Sequence, residues 1–196
     1  MEQRDKSEKV EAVAEWTLRI IDAHGLDGVS IARVARAASV SRPWMYKYVG
    51  RGKEELIEVA VRRFGMLISG LDRRPRLDSR ENWVHDTMAN TQRLFLNSRE
   101  RPWMLRLYYR FKGTHTVLGE VIADLESRYL GAHTREIAEV WGMPEEESRI
   151  LAESLMAARL GMAHRYQYRE EVEEDDRGRF FALLRRWLSG ISPGTP

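Results

Sequence analysis

Cysteine is absent from the 196 residues of this chain. Its absence excludes disulfide bonds, thiolate metal sites and cysteine nucleophiles, and it is compatible with a reducing cytoplasm. Long apolar runs are absent as well, because no stretch approaches the roughly 18 apolar residues that indicate a membrane span. The N-terminal segment is too strongly charged for a signal peptide. We therefore expect a cytoplasmic protein that does not associate with a membrane.

The short motifs of common enzyme chemistry are also missing. There is no Gly-x-Ser-x-Gly, no phosphate-binding glycine loop and no dinucleotide-binding fingerprint. No two histidines share a helix at i, i+4 spacing, and His85-Asp86 is more typical of a solvated or capping histidine than of a metal ligand. We predict no catalytic residue, no metal site and no cofactor. A small helical enzyme remains the weaker alternative.

Acidic residues are absent from one window of a chain that is otherwise evenly charged. The chain has 32 basic and 30 acidic residues, whereas residues 28–53 contain six basic residues and no acidic one. The basic residues of this window are Arg33, Arg36, Arg42, Lys47, Arg51 and Lys53. Because DNA phosphates are neutralised by a local patch and not by overall charge, the window predicts a DNA-binding surface.

The same window has the pattern of two short helices joined by a sharp turn. Ser30 is a suitable N-cap for the first helix, and Ser41 for the second, which has Pro43 in its first turn. The outer side of the second helix carries Arg42, Trp44, Tyr46, Lys47 and Tyr48. This arrangement is typical of a helix-turn-helix, whose second helix enters the major groove of DNA. Trp44 either contacts DNA, which we favour, or folds back onto the small domain.

The ordered residues of this segment resemble the DNA-binding domain of TetR-family transcriptional regulators. The matching positions are Gly25, Ser30-Ile31, Val34-Ala35-Arg36-Ala37-Ala38-Ser39-Val40-Ser41, Tyr46-Lys47-Tyr48-Val49 and Lys53-Glu54-Glu55-Leu56. The sequence departs from the family pattern at Ser39, where Gly is usual, at Val49, where Phe is usual, and at Gly50–Gly52, a spacer one residue longer than usual. If the turn requires a positive φ, Ser39 is strained there.

The resemblance implies a ligand-responsive transcriptional regulator, a repressor that binds a palindromic operator as a homodimer. By motif position, the residues at or near DNA are Ser30, Arg33, Ser41, Arg42, Pro43, Trp44, Tyr46, Lys47, Tyr48 and Lys53. A helical ligand-binding or adaptor protein without DNA-binding activity is the alternative function.

The rest of the chain has helical periodicity and no strand pattern. We predict an all-α fold of about nine helices, which comprise the two short ones and helices over about 7–24, 53–70, 78–97, 101–112, 116–141, 144–168 and 174–189. Residues 72–77 form the best linker. We assign residues 1–52 to a three-helix DNA-binding domain and residues 53–196 to a helical effector-binding and dimerisation domain, with helix 53–70 as the bridge.

The two C-terminal helices carry more apolar residues than one subunit requires. The resemblance implies that they form the dimer interface, for which the candidates are Leu155, Ala158, Gly161, Met162, Phe181, Leu184, Trp187 and Leu188. The small residues would allow two backbones to approach closely. The alternative is an ordinary intrachain core, and we expect both interpretations to apply in part.

Aromatic residues and methionine are concentrated in the middle of the chain. Such a composition suits a packed core or an apolar ligand cavity, and by itself it favours the core. The family resemblance favours a site for a small apolar or aromatic effector, lined in part by Trp103, Met104 and Tyr108. Arg106 or Arg110 could hold an acidic group of this effector, or be simply solvated.

Overall fold

Our structure is a computed structural model that describes residues 2–69, 79–167 and 174–191. Within these ranges the chain forms nine α-helices, one short 3-10 helix and no strand, which confirms the predicted all-α fold. The helices are α1 (Glu2–His24), α2 (Ile31–Ala37), α3 (Arg42–Tyr48), α4 (Lys53–Ser69), α5 (Arg80–Glu100), α6 (Trp103–Phe111), α7 (Val117–Trp141), α8 (Glu145–Gln167) and α9 (Glu174–Ser189). The linker predicted at 72–77 lies outside the described residues.

The chain divides into two compact units. The first comprises the residues up to Ile68 together with Arg106–Ile122, and the second comprises the described parts of 69–105 and 123–196. In this division α4 lies in the same unit as the helix-turn-helix, and the predicted boundary between residues 52 and 53 stays a prediction. The assignment of residues 53–196 to effector binding and dimerisation stays a prediction.

The first unit is built on the apolar stripe of α1. Val13, Leu18 and Ile21 on this helix are fully buried. They share the interior with equally buried residues of the three following helices, namely Val34 of α2, Met45 of α3 and Leu56, Ala60 and Phe64 of α4. Because α2 and α3 have only seven residues each, they cannot form a core by themselves, and α1 and α4 supply it.

Serine side chains cap three helices and fix where these begin. The hydroxyl of Ser30 accepts a hydrogen bond from the Arg33 amide at 3.3 Å, and that of Ser41 accepts one from the Trp44 amide at 3.2 Å. Both caps were predicted. The third cap belongs to α5, where the Ser79 hydroxyl accepts a hydrogen bond from the Asn82 amide at 3.2 Å, whereas Asp78, where the sequence predicted this helix to begin, lies outside the described residues. α1 begins earlier than predicted, at Glu2.

The second unit contains a core of aliphatic and aromatic side chains from α5, α7, α8 and α9. Trp83 of α5 and Trp141 of α7 meet edge to face at 6.2 Å between ring centres. The aliphatic members around them are Val84, Ile137, Ala152, Leu155, Leu184 and Leu188. This geometry suits the charge distribution of aromatic rings, so the two tryptophans contribute more than buried area alone.

The turn between α2 and α3 contains the one non-glycine residue with positive φ in the described part of the chain. This residue is Ser39, with φ 55°. The neighbouring amide of Val40 donates to the carbonyl of Ala35 at 3.0 Å, which closes the end of α2. A side chain in the left-handed region costs about 1 kcal/mol or more, because its Cβ crowds the backbone.

We expect Ser39→Gly to raise the free energy of unfolding by about 1 kcal/mol, because glycine relieves the strain of this turn. The matched control is Ala38→Gly, since Ala38 has an ordinary φ of −83°. Glycine at position 38 only increases the conformational freedom of the unfolded chain, so the free energy of unfolding of this variant should fall by about 0.5–1 kcal/mol. Urea unfolding of both variants measures the difference. A loss of stability for Ser39→Gly as large as that of the control would contradict the prediction.

Candidate functional site

Helix α3, which the sequence predicts to be the recognition helix, is anchored by one side chain and presents others outward. Met45 is completely buried and fixes the helix against the interior of the first unit. Arg42, Pro43, Tyr46 and Lys47 are exposed, and Tyr46 is 48% exposed although it is a large aromatic residue. The predicted DNA-contacting surface is therefore open to solvent at these four positions.

Trp44 and Tyr48 form an aromatic pair along one side of α3. Both are half-buried, and their ring centres are 5.2 Å apart. The Lys47 Nζ lies 5.0 Å from the centre of the Tyr48 ring, and the Nζ of Lys6 on α1 lies 4.7 Å from it. We expected Tyr48 to face solvent, whereas it packs in part against its neighbours. Trp44 likewise combines packing with partial exposure.

Lys6 is a cation near the recognition helix that the sequence analysis did not identify. Residues 1–6 were expected to lie before the first helix, because the apolar periodicity begins only at Val10. α1 instead extends to Glu2 and brings Lys6 next to Tyr48. The signal was weak, since a charged helical turn without apolar positions has no periodicity.

Five basic side chains of the acid-free window are exposed, and the sixth is half-buried. Arg33, Arg36, Arg42, Lys47 and Arg51 are exposed, and Lys53 is half-buried. Two of them have partners within the first unit. Arg33 Nη1 donates to the carbonyl of Gly28 at 2.9 Å, and Lys53 Nζ pairs with the Asp27 carboxylate at 3.2 Å. Their contact with phosphate stays a prediction, as do the DNA contacts of the other residues.

The long spacer before α4 is closed by a glutamate of that helix. The Gly52 amide donates to the Glu55 carboxylate at 3.1 Å, which satisfies a backbone donor at the start of the helix. Gly50 has φ 153°, and a Cβ at this position would lie 2.4 Å from the Glu55 Cβ. Gly50 thus accommodates the extra residue of the spacer, because any side chain at this position would force the Glu55 side chain to move.

The side chains predicted to line an effector site are buried. Trp103 and Met104 belong to the second unit, and Tyr108 belongs to the first, where its hydroxyl accepts from Lys112 Nζ at 3.1 Å. Partial burial raises the pKa of the adjacent Tyr109 phenol, so this hydroxyl stays protonated at physiological pH. Whether the three predicted side chains contact a ligand stays a prediction.

Arg106 and Arg110 both bind the same residue of α1. Arg106 Nε donates to the Asp22 carboxylate at 3.2 Å, and its Nη2 makes a second bond to the other carboxylate oxygen. Arg110 Nη1 donates to the backbone carbonyl of Asp22 at 3.1 Å. The two arginines therefore join α6 to the C-terminal end of α1. The role predicted for them, binding an acidic group of the effector, competes with these bonds.

Three of the predicted interface residues lie in the core of their own subunit. Leu155, Leu184 and Leu188 are buried and belong to the cluster around Trp83 and Trp141. A partner subunit has almost no surface of these leucines left to cover. The structure therefore assigns them to the intrachain core, which was the alternative stated for this region.

The other predicted interface residues retain exposed surface. Gly161 is exposed, Ala158, Met162 and Phe181 are half-buried, and Trp187 is 42% exposed. Leu183, which was not among the candidates, is 61% exposed. On α8, the exposed positions Ile150, Ser154, Ala157 and Gly161 follow one another at intervals of four, three and four residues, so they form one stripe of mostly small residues.

Two further kinds of feature are absent from the described parts of the chain. No group of three or more His, Cys, Asp or Glu side chains there could hold a metal ion. None of the described helices is long and apolar enough to cross a membrane.

Comparison with known proteins identifies the N-terminal segment. Residues 15–60 match the family described as bacterial regulatory proteins, tetR family. This range contains α2, α3 and their turn, together with much of α1 and the start of α4. No curated protein matches the sequence.

Solved structures resemble the chain over nearly its whole length. A TetR-like transcriptional regulator from Rhodococcus sp. RHA1 has a TM-score of 0.62 at 19% identity, with 93% of this chain and 97% of that chain covered. A fatty acid metabolism regulator from Clostridium perfringens has a TM-score of 0.61 at 16% identity, with 93% and 100% covered. A TetR-family member from Streptomyces coelicolor A3 has a TM-score of 0.57 at 18% identity, with 91% and 89% covered.

At these identities the structural likeness shows a common fold, and the match over residues 15–60 shows which DNA-binding domain this fold carries. Taken together with the capped helix-turn-helix and its exposed basic helix, these findings show that the chain carries a DNA-binding domain of the tetR family of bacterial regulatory proteins, within a fold that TetR-like transcriptional regulators share.

Proposed function

We propose that this regulator binds a palindromic operator as a homodimer, represses transcription there, and releases the operator when a small apolar or aromatic effector binds. The observation that carries the proposal is the exposed surface of α3, which presents Arg42, Tyr46 and Lys47 within a window that has no acidic residue. Cations can neutralise phosphates, and an exposed tyrosine can reach base edges or sugars in the major groove.

The proposal places the protein in the cytoplasm, where it would meet chromosomal DNA, and gives it no catalytic role. The alternative function is a helical ligand-binding or adaptor protein without DNA binding. This alternative does not explain the cationic surface of α3, because a helix that binds another protein does not require that acidic residues be absent from its neighbourhood. Salt-dependent binding to a duplex separates the two functions.

The homodimer is supported by the exposed surface of the second unit. The stripe at Ser154, Ala157 and Gly161 lets another helix backbone approach α8 closely, and Leu183 and Trp187 on α9 leave apolar area exposed. A two-fold dimer presents two recognition helices to two half-sites about one helical turn apart, which accounts for a palindromic operator.

The effector would act through the equilibrium between conformations of different DNA affinity, since it does not touch DNA. Coupling of the usual size, about 1–3 kcal/mol, changes operator affinity roughly 5–150-fold. Linkage requires that operator DNA weakens effector binding by the same factor. Titrating each ligand in the presence of the other measures both factors, and affinities that do not change in either titration would show that the effector and the operator are not coupled.

For the DNA surface, we expect Lys47→Ala to weaken binding to all duplexes alike and to lower the slope of log K against log salt by about one unit, because one phosphate contact is lost. Tyr46→Ala should instead reduce the preference for the operator over random DNA. The operator is first obtained by selection from random duplexes, and affinities are then measured over a range of salt concentrations.

The control for Lys47→Ala is Arg135→Ala, which removes the same charge from an exposed site on α7 in the second unit. It should leave both affinity and salt slope unchanged. Equal losses for the two variants would mean that overall charge, and not the recognition helix, governs binding. A selection that enriches no palindrome would contradict the dimeric operator.

For the dimer, we expect Gly161→Leu to shift the protein toward the monomer. The added side chain overpacks the interface at a cost of about 1–3 kcal/mol, and two-fold symmetry imposes it twice. Gly131→Leu is the control, because Gly131 is likewise an exposed helical glycine with open space where a Cβ would lie. Sedimentation equilibrium distinguishes the two variants. The dimer interface lies elsewhere if Gly161→Leu associates as tightly as the control.

A further inference from the structure

Arg159 on α8 is an arginine in the interior of the second unit. The residue is only 6% exposed. Its Nη1 donates to the hydroxyl of Tyr129 on α7, and its guanidinium carbon lies 5.7 Å from the centre of the Tyr129 ring. These are its polar contacts within the described residues, and its buried Nε has no hydrogen-bond acceptor there. The Nε donor of this guanidinium is thus buried and unused within the described part of the chain.

A buried guanidinium of this kind needs a counter-charge. Arginine stays protonated in proteins, so it cannot escape burial by losing its proton. The Tyr129 hydroxyl and ring offset part of the lost hydration, but neither carries a negative charge. The carboxylate of Glu136 on the same helix as Tyr129 lies 3.3 Å from His133 Nδ1. No ion pair joins a carboxylate to Arg159 among the described residues.

The surroundings of Arg159 contain further buried donors without acceptors. The Tyr129 ring lies 4.1 Å from the His133 ring, which in turn lies 6.3 Å from the Trp83 ring, with Trp141 beyond it. The indole nitrogens of Trp83 and Trp141 are buried and have no acceptor in the described part of the chain. The cluster therefore combines an uncompensated positive charge, unused N–H donors and aromatic surface.

We propose that Arg159 is the anchor for the carboxylate of a small monoanionic ligand with an apolar or aromatic body. Arginine binds carboxylates through two parallel hydrogen bonds, and these would use the donors that now have no acceptor. The aromatic rings beside Arg159 would pack against the body of the ligand. The inference deepens the proposed function, on which its regulatory meaning rests, by naming the charge and class of the effector.

A carboxylate fits the cluster better than a phosphate does. One guanidinium balances one negative charge, whereas a phosphate monoester carries close to two at neutral pH and would leave a buried negative charge. A carboxylate from a partner subunit fits less well, because Arg159 is already covered by residues of its own protomer. Arg106 and Arg110 are less suitable anchors, since Asp22 engages both.

The test is a binding assay that compares acids with their neutral counterparts. Phenylacetate, 2-naphthoate and octanoate are each paired with the corresponding primary amide, and isothermal titration and thermal shift are recorded in the absence of DNA. We expect at least one acid to bind and to raise the melting temperature, while its amide binds at least tenfold more weakly. Inorganic phosphate and hexyl phosphate form a further arm, in which we expect no binding.

The variants are Arg159→Met and Arg159→Gln, with Arg165→Met as the control on an exposed position of the same helix. Both Arg159 variants should bind the acid about 10–100-fold more weakly, and Arg165→Met should bind it normally. Without ligand, Arg159→Met should melt at the same temperature or about 2–4 °C higher, because an uncompensated buried charge is removed. Arg159→Gln retains amide donors for the Tyr129 hydroxyl. It therefore serves as the second variant if Arg159→Met disturbs the packing.

Several outcomes would overturn the inference. Amides that bind as well as acids, or Arg159 variants with normal affinity for the acid, would remove the carboxylate anchor. If the phosphates bind more tightly than the carboxylic acids, the ligand is a phosphate and not a carboxylate. If both Arg159 variants melt at least 10 °C lower, the arginine is a structural contact. If they turn a dimer into monomers, its counter-charge comes from the partner subunit.

Operator titrations separate this inference from the proposed function. If the protein binds the operator in a salt-dependent way but binds no acid at Arg159, its proposed DNA-binding function stands and only the carboxylate site is disproved. Acid binding that depends on Arg159 but leaves operator affinity unchanged would keep the site and remove its regulatory role. A protein that binds the acid and no DNA would favour the ligand-binding alternative.

Discussion

The helix-turn-helix of this protein depends on the burial of apolar side chains that its own two helices cannot provide. α2 and α3 have seven residues each, which is too short for either helix to be stable alone. The stripe of α1 and the apolar face of α4 supply the missing partners for Val34 and Met45. Once Met45 is fixed, the step of about 100° per residue turns Tyr46 and Lys47 away from the interior, and Arg42 at the start of the helix is exposed as well. The exposed basic surface is thus a consequence of core packing.

Polar contacts then determine details that burial leaves open. Ser30 and Ser41 fix where the two short helices start, and Glu55 closes the spacer before α4. Ser39 in the turn between the helices has a strained backbone, so the sequence at this position is not the one that gives the small domain its greatest stability. In the second unit, Arg159 introduces a charge into an apolar interior, where an aliphatic residue would pack with less cost.

The sequence predicted the DNA-binding segment well because its signals are local. Capping serines, a proline in the first turn, short apolar spacings and a window without acids all lie within 26 residues (28–53), and each reports on its immediate neighbours. The same locality explains where the sequence failed. The first turns of α1, which carry Lys6, have no apolar periodicity, so the start of this helix was predicted near residue 7 and not at Glu2.

The sequence by itself determined that the chain is all-α, where most helices lie, and which helix bears the basic surface, because these follow from periods and spacings along one segment. Tertiary structure alone decided the roles of residues that look alike in sequence. Leu155 and Gly161 are both apolar members of α8, yet one lies in the core and the other at the surface. Arg106 meets the carboxylate of Asp22, 84 positions away, whereas Arg159 meets the hydroxyl of Tyr129. Burial and charge pairing depend on neighbours that are distant in the chain, and no local pattern records them.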